Sequence, residues 1–288
     1  MKFEFMKEKS DEFSIEKMAK VFEVSITGYY SYIKRKPSSR ETENKYLIDM
    51  VTKTYYEGRS MYGSPRIHGR LKKLGVLCSR KKVAKLMKGQ GLAAKMRKSW
   101  KKTTKQGKRE AAKNLVCQEF KVKAPNHTWV SDITYIKTKE GWLYLTAIID
   151  LFSRKVVGMS MGDHLETCLI EKALNQALYH RSPSEGLIHH SDRGSQYTSE
   201  EFSKIAQRNG ILLSMSGTGN CYDNAVAESF FHTLKTEHVY QKKFDTREEA
   251  KRSLFEYVEV FYNRQRAHSF LGYLSPEEFE KKWSKQAI

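Results

Sequence analysis

His127-Thr-Trp-Val-Ser-Asp-Ile-Thr-Tyr-Ile136 decides the fold. Apolar and polar residues alternate along it, the period of a strand with two distinct faces, so a strand is expected over Thr128–Ile136. Lys137-Thr-Lys-Glu-Gly141 then has hairpin length. Two apolar strands are expected next, at Trp142–Leu151 and Lys155–Met161. Beyond them the period changes. A helix over His164–Tyr179 turns Leu165, Leu169, Ala173, Leu174 and Leu178 inward. A strand at Gly186–His190, a helix at Ser199–Asn209 stopped by Gly210, a strand at Ile211–Met215 and a helix around Glu228 complete the unit. A three-strand meander followed by alternating helices and strands is a mixed five-stranded sheet with helices on its faces. That order is the one expected of a ribonuclease-H-like α/β domain.

Three carboxylates stand out in this frame. Asp132 is central on the first strand, and Asp192 follows the fourth in Ser191-Asp-Arg-Gly-Ser-Gln-Tyr-Thr-Ser199. Glu228 comes after 35 intervening residues, on a helix able to cross the same edge. Open α/β sheets form their sites at the carboxyl ends of strands. Three acids gathered there can hold a pair of divalent cations, Mg²⁺ or Mn²⁺, which clamp the attacking and leaving oxygens of a phosphodiester. An Asp in a strand also serves as an ordinary hydrogen-bond acceptor, so no one of the three carries this reading alone. Asn224, one turn before Glu228, and His190, two before Asp192, are candidates to support the acids. Arg193 opens a substrate-facing loop in which Gly194 permits close backbone approach. Asp150 and Asp163 are assigned instead to strand-end and helix-capping duty, and Asp223 with Asn224 is read as capping the Glu228 helix.

Charge points to the substrate. The chain holds 52 Lys and Arg against 33 Asp and Glu, a net +19, of which +18 falls in residues 1–120 and +1 in 121–288. Such asymmetry marks one half as built for a polyanion. In that half, Ser14 caps a helix carrying Ile15, Met18, Ala19 and Phe22, and Ser25 caps another over Ile26–Lys34, a helix-turn-helix arrangement. A helix follows over Arg40–Glu57. Ser64-Pro65 then opens a helix that Gly75 stops, with Ile67, Leu71 and Leu74 on its apolar stripe. Ser79 caps a second helix to Lys88, closed by Gly89, with Val83, Leu86 and Met87 inward. Its outer face carries Arg80, Lys81, Lys82, Lys85 and Lys88, suited to a major groove and its phosphates. The alternative is a hairpin with a solvated charged face. Arg97-Lys-Ser-Trp-Lys-Lys-Thr-Thr-Lys-Gln-Gly-Lys-Arg109 has no apolar period and reads as a basic linker. The expected organisation is 1–58 and 59–96 as two helical modules, 97–120 as linker, 121–240 as core and 241–288 as helical extension. The scattered cysteines Cys78, Cys117, Cys168 and Cys221 form no zinc or disulfide framework. With no long apolar run, a cytoplasmic, nucleoid-associated location is expected.

Four stretches then match one family: Asp132-Ile-Thr-Tyr135, His190-Ser-Asp-Arg-Gly-Ser-Gln-Tyr197, Asp223-Asn-Ala225 through Glu228-Ser-Phe-Phe-His-Thr-Leu-Lys-Thr-Glu237, and Tyr262-Asn-Arg-Gln-Arg-Ala-His268. The chain resembles the second-frame transposases of bacterial insertion sequences of the insertion-sequence-three type, which are similar to retroviral integrases. The resemblance implies that Asp132, Asp192 and Glu228 are the catalytic metal-binding triad. It implies that Lys235, on the same helix face as Glu228, contacts DNA near the cut. It also implies cutting at terminal inverted repeats, joining of a 3′-hydroxyl to target DNA, action as a homo-oligomer, and a possible upstream-frame partner or fusion. The integrases' His/Cys zinc spacing has no counterpart here. Two other readings fit the same residues: a structure-selective nuclease of this fold, and a DNA-binding regulator without activity. Arg264, Arg266 and His268 could hold phosphate or pin the tail; the structural role is favoured.

Overall fold

A computed structural model describes residues 1–95, Leu115, 122–216 and 224–286. Apart from Leu115, the basic linker 97–120 with Trp100 and Cys117 lies outside the described residues, as do Cys221 and Asp223. The chain divides into two compact units, Met1–Met50 and Val51–Ile288.

In the first unit, α1 (Lys2–Glu8), α2 (Ile15–Val21) and α3 (Ile26–Lys34) precede α4 (Ser39–Glu57), which runs on into the second. The two serine caps form as expected: Ser14 accepts from the Lys17 amide and Ser25 from the Gly28 amide. Met6 of α1 joins Met18, Ala19 and Tyr29 in a small core. That first helix was not legible alone, because seven residues with one buried side chain need a partner to persist.

The second unit opens with a hairpin of α5 (Ser64–Lys73) and α6 (Arg80–Gly89). Ile67, Leu71, Val83 and Met87 are buried, and Ser79 accepts from the Lys82 amide. Leu74 departs from the expected stripe: it is the C-cap residue, beyond the last buried turn, and 57% exposed. Gly75 stops α5 as expected, at φ +78°. Gly89 stays helical, and the left-handed residue that ends α6 is Gly91.

The sheet consists of β1 (Thr128–Thr138), β2 (Gly141–Asp150), β3 (Val156–Gly162), β4 (Ile188–Ser191) and β5 (Leu212–Met215), in the order β3-β2-β1-β4-β5. The first three form an antiparallel meander, and β4 and β5 run parallel to β1. This is the ribonuclease-H-like arrangement. One face packs Trp129, Ile148 and Val157 on α7 (Thr167–Arg181) and α8 (Glu200–Arg208). The other packs Val130, Ile136, Leu143 and Leu145 under α9 (Ala225–Glu237) and α10 (Arg247–Phe255), which continues as a π-helix over Glu256–Tyr262. A Cβ at Gly158 would stand 2.2 Å from the Ala173 carbonyl, so this glycine lets α7 lie close on β3.

Helix α7 begins later than the expected His164. Leu165 is 43% exposed rather than inward, and Asp163 pairs with His164 instead of capping. Asp150 is structural, accepting the amides of Asn126, Phe152 and Ser153. The tail motif is structural too. Asn263 exchanges hydrogen bonds of 3.0 Å with both the amide and the carbonyl of Val156, at the start of β3. Arg266 is buried on Glu237, and the exposed Arg264 faces Glu277 of α11 (Pro276–Gln286). Among the described residues, no helix is long and apolar enough to cross a membrane.

Candidate active site

Strands β1 and β4 lie in parallel register with Val130 opposite His190. Side chains two residues apart share a face, so the same register carried two residues on brings Asp132 beside Asp192. Here β4 ends while β1 continues with β2, leaving an open edge at the carboxyl end of the parallel pair. Asp192 is fixed by its loop: its Oδ1 accepts the Gly194 amide at 3.0 Å, and a Cβ at Gly194 would meet that oxygen at 3.0 Å. Asp132 accepts the Ile133 amide at 2.8 Å.

The acids feel one another. Burial, then the charge of Asp192, pushes the Asp132 carboxyl up to about 7. Glu228 adds to that rise, while the Ile133 amide and Lys235 oppose it. Asp192 is also raised, by loss of water around its carboxyl and against the Gly194 amide, although the residue as a whole is exposed. Lys235 is lowered by burial and partly restored by Asp132. Its ammonium sits 5.0 Å from the centre of the Tyr135 ring, which packs edge-on to Trp142. The Tyr135 contact was not foreseen. The seven-residue step from Glu228 to Lys235 signals a shared helix face, but not what lies across from it.

Helix α9 is tied to β1 by Asn224. Its Nδ2 donates to the carbonyl of Ser131, the residue before Asp132, at 3.1 Å. It makes no side-chain cap, so a residue read partly as a cap serves instead to set the Glu228 helix against the Asp132 strand. Its Oδ1 is buried and has no partner among the described residues. His190 is buried, with the Ser214 hydroxyl 2.8 Å and the Ser216 hydroxyl 3.2 Å from its ring nitrogens. Arg193 donates through Nε to the Ser216 carbonyl at 2.8 Å, which anchors the Asp192 loop to the end of β5. His189 points to the opposite face, against Tyr197 and Phe202, where burial pushes it down to about 3 and keeps it neutral. On the hairpin, Arg80, Lys81, Lys85 and Lys88 are exposed and Lys82 half-buried, as the helical period requires.

Among the described residues, no three His, Cys, Asp or Glu side chains are already closed to metal-ligand spacing. The donor chemistry nevertheless fits a hard cation: the charges of Asp192 and Glu228 are both felt at the Asp132 carboxyl, and such repulsion is what a bound cation relieves.

Residues 122–221 and 228–283 match two families described as integrase core domains, and residues 41–100 match an HTH-like domain. An uncharacterized 31 kDa protein of insertion element IS600 from Shigella sonnei is 41% identical over 271 residues, 94% of this chain and 100% of its own. Transposase InsF for insertion sequence IS3A from Escherichia coli K12 is 38% identical over 285 residues, 98% of this chain and 99% of its own. The transposase for insertion sequence element IS904 from Lactococcus lactis is 43% identical over 248 residues, 86% and 98% of the two chains.

Proposed function

Since this chain belongs to the insertion-sequence transposases that carry an integrase core, we propose that Asp132, Asp192 and Glu228 are the catalytic site at which it cuts element ends and joins them to new DNA. The family's reaction is polynucleotidyl transfer, its core depends on divalent metal ions, and its HTH-like domain binds DNA. The three carboxylates are the residues that would hold the metal, two ions of Mg²⁺ or Mn²⁺ in this reading. Such ions neutralise charge on the phosphate and favour ionisation of the attacking hydroxyl. The observation that supports the assignment is the β1–β4 register, with Val130 opposite His190 two residues before each aspartate, together with the charges of Asp192 and Glu228 both felt at Asp132.

The residues around the acids divide the work. Gly194 and Ile133 hold the aspartates by their amides. Asn224 holds the Glu228 helix in place. Lys235 supplies a cation where a DNA phosphate would approach, and the basic face of α6, from Arg80 to Lys88, would grip the terminal inverted repeat. In joining, the 3′ oxygen of the element end forms a bond to phosphorus as the target's own 3′ oxygen leaves. One phosphodiester replaces another, and no covalent enzyme intermediate is needed. Assembly of more than one chain on DNA, and fusion to an upstream frame, belong to the same reading.

Labelled DNA carrying the element's ends tests it in the presence of Mg²⁺ or Mn²⁺. The expected result is a longer product in which end and target are covalently joined. Cleavage fragments without joined product would support the nuclease reading, and DNA binding with neither would support the inactive regulator.

A further inference from the structure

We propose that the α5–α6 hairpin is held at a fixed offset from the acidic site by a clasp on Glu237, and that this clasp, not the covalent segment between hairpin and core, sets where on the DNA the cut falls. The inference rests on the reading of the acids as a DNA-cutting site and of the hairpin as a DNA grip.

Glu237 ends the helix that carries Glu228, nine residues on, or roughly 13 Å along a rigid rod at 1.5 Å per residue. Both of its carboxylate oxygens are fully used. Arg266 grips them in a two-pronged pair, Nε to Oε2 at 2.7 Å and Nη2 to Oε1 at 2.8 Å. Tyr257 donates to Oε2 at 3.0 Å. The fourth donor comes from the hairpin: Arg66 of α5 reaches Oε1 at 2.9 Å. The catalytic helix, the tail and the basic hairpin thus meet on one buried carboxylate.

Other contacts repeat the tie. Arg70 pairs through Nη1 with both oxygens of Glu278, at 2.8 and 3.1 Å. The buried Tyr62 hydroxyl accepts the Ala267 amide at 2.6 Å. Arg59 pairs with Glu256 and lies over the Phe261 ring, 4.4 Å from its centre. Gly69 on α5 lies flat against Tyr273, where a Cβ would stand 2.2 Å from the ring. A module hung only on a linker needs none of these contacts. Their sum makes hairpin, tail and α9 one body, which fixes the span from the DNA grip to the acids. Sequence reading placed the hairpin and the core in separate domains, since partners about 170 to 210 residues apart leave no local signal.

The test compares full-length variants on labelled end DNA with Mn²⁺, with each cut mapped to the nucleotide. One variant carries about 12 Gly/Ser residues inserted after Gly107, adding roughly 20 Å of reach to that segment. The other is Arg66→Met with Arg70→Met, which removes the two ion pairs that tie α5 to Glu237 and Glu278 while leaving Glu237 paired with Arg266. The insertion variant is expected to cut at the wild-type phosphodiester. The double variant, with unchanged circular dichroism, is expected to spread its cuts over neighbouring positions. An insertion that shifts or scatters the cut, or a folded double variant that cuts only at the wild-type position, would overturn the clasp as the ruler. Failure of the wild-type chain to cut end DNA at all would instead overturn the site reading beneath it.

Discussion

Asp192→Asn is expected to lower strand joining by about a thousandfold or more, the loss of several kcal/mol of charge stabilisation at roughly 1.4 kcal/mol per decade. The substitution is close to isosteric. The Asn carbonyl oxygen can still accept the Gly194 amide, so the loop keeps its anchor and only the negative charge is removed. Two effects then coincide: a metal-holding oxygen loses its charge, and the Asp132 carboxyl, raised in part by Asp192, falls toward the ordinary carboxylate range. Affinity for end DNA should change little, because the basic hairpin is untouched and a negative charge near phosphate is removed. Single-turnover joining and filter binding on the same preparation separate the two quantities. Joining at the wild-type rate would remove Asp192 from the site.

Glu237→Ala is expected to lower the melting temperature by roughly 10 °C. Breaking a buried ion pair from one side costs about 3–5 kcal/mol, and a unit of this size loses about 2–4 °C per kcal/mol. The cost arises because Arg266, only 3% exposed, keeps its charge and loses its acceptor. Acid exposes the same dependence. Burial alone would raise the Glu237 carboxyl, but Arg266 and Arg66 hold it down at about 2. Its folded value therefore lies below its unfolded one. The stability it contributes is present above about pH 4.5 and is lost as pH falls toward 2. In that window the wild type should weaken steeply, and Glu237→Ala, which has no proton to take up there, more gently. Replacing the pair by apolar residues, Glu237→Leu with Arg266→Met, should recover part of the loss, since a well-packed apolar pair avoids the cost of burying charge. Thermal melts from pH 3 to 7 measure all three. Equal slopes for the wild type and Glu237→Ala would contradict this account of the network.

What could be read from the chain depended on how local the signal was. The alternation of Thr128–Ile136, the serine caps at 14, 25 and 79, and the left-handed Gly75 each act within one turn or one strand, and each element stands where it was expected. Asp132 and Asp192 were legible for a related reason: a strand position and a strand-end loop are both visible in a short window, and the β1–β4 register does the rest. Leu74 and Leu165 misled because apolar spacing does not tell where a helix stops being covered. Asn224 looked like a cap because it precedes a helix, yet it bonds to Ser131, 93 residues away. Neither Arg66 nor Arg266 carries any mark in sequence of its pairing with Glu237.

The central claim is that Asp132, Asp192 and Glu228 form one cation-holding site. Uptake of Mn²⁺ by the full-length protein, followed through loss of the free-ion paramagnetic resonance signal, tests it most directly. Wild-type protein should deplete the signal, and Asp132→Asn should leave it nearly undiminished although the protein remains folded. Equal Mn²⁺ uptake by the two proteins would contradict the assignment.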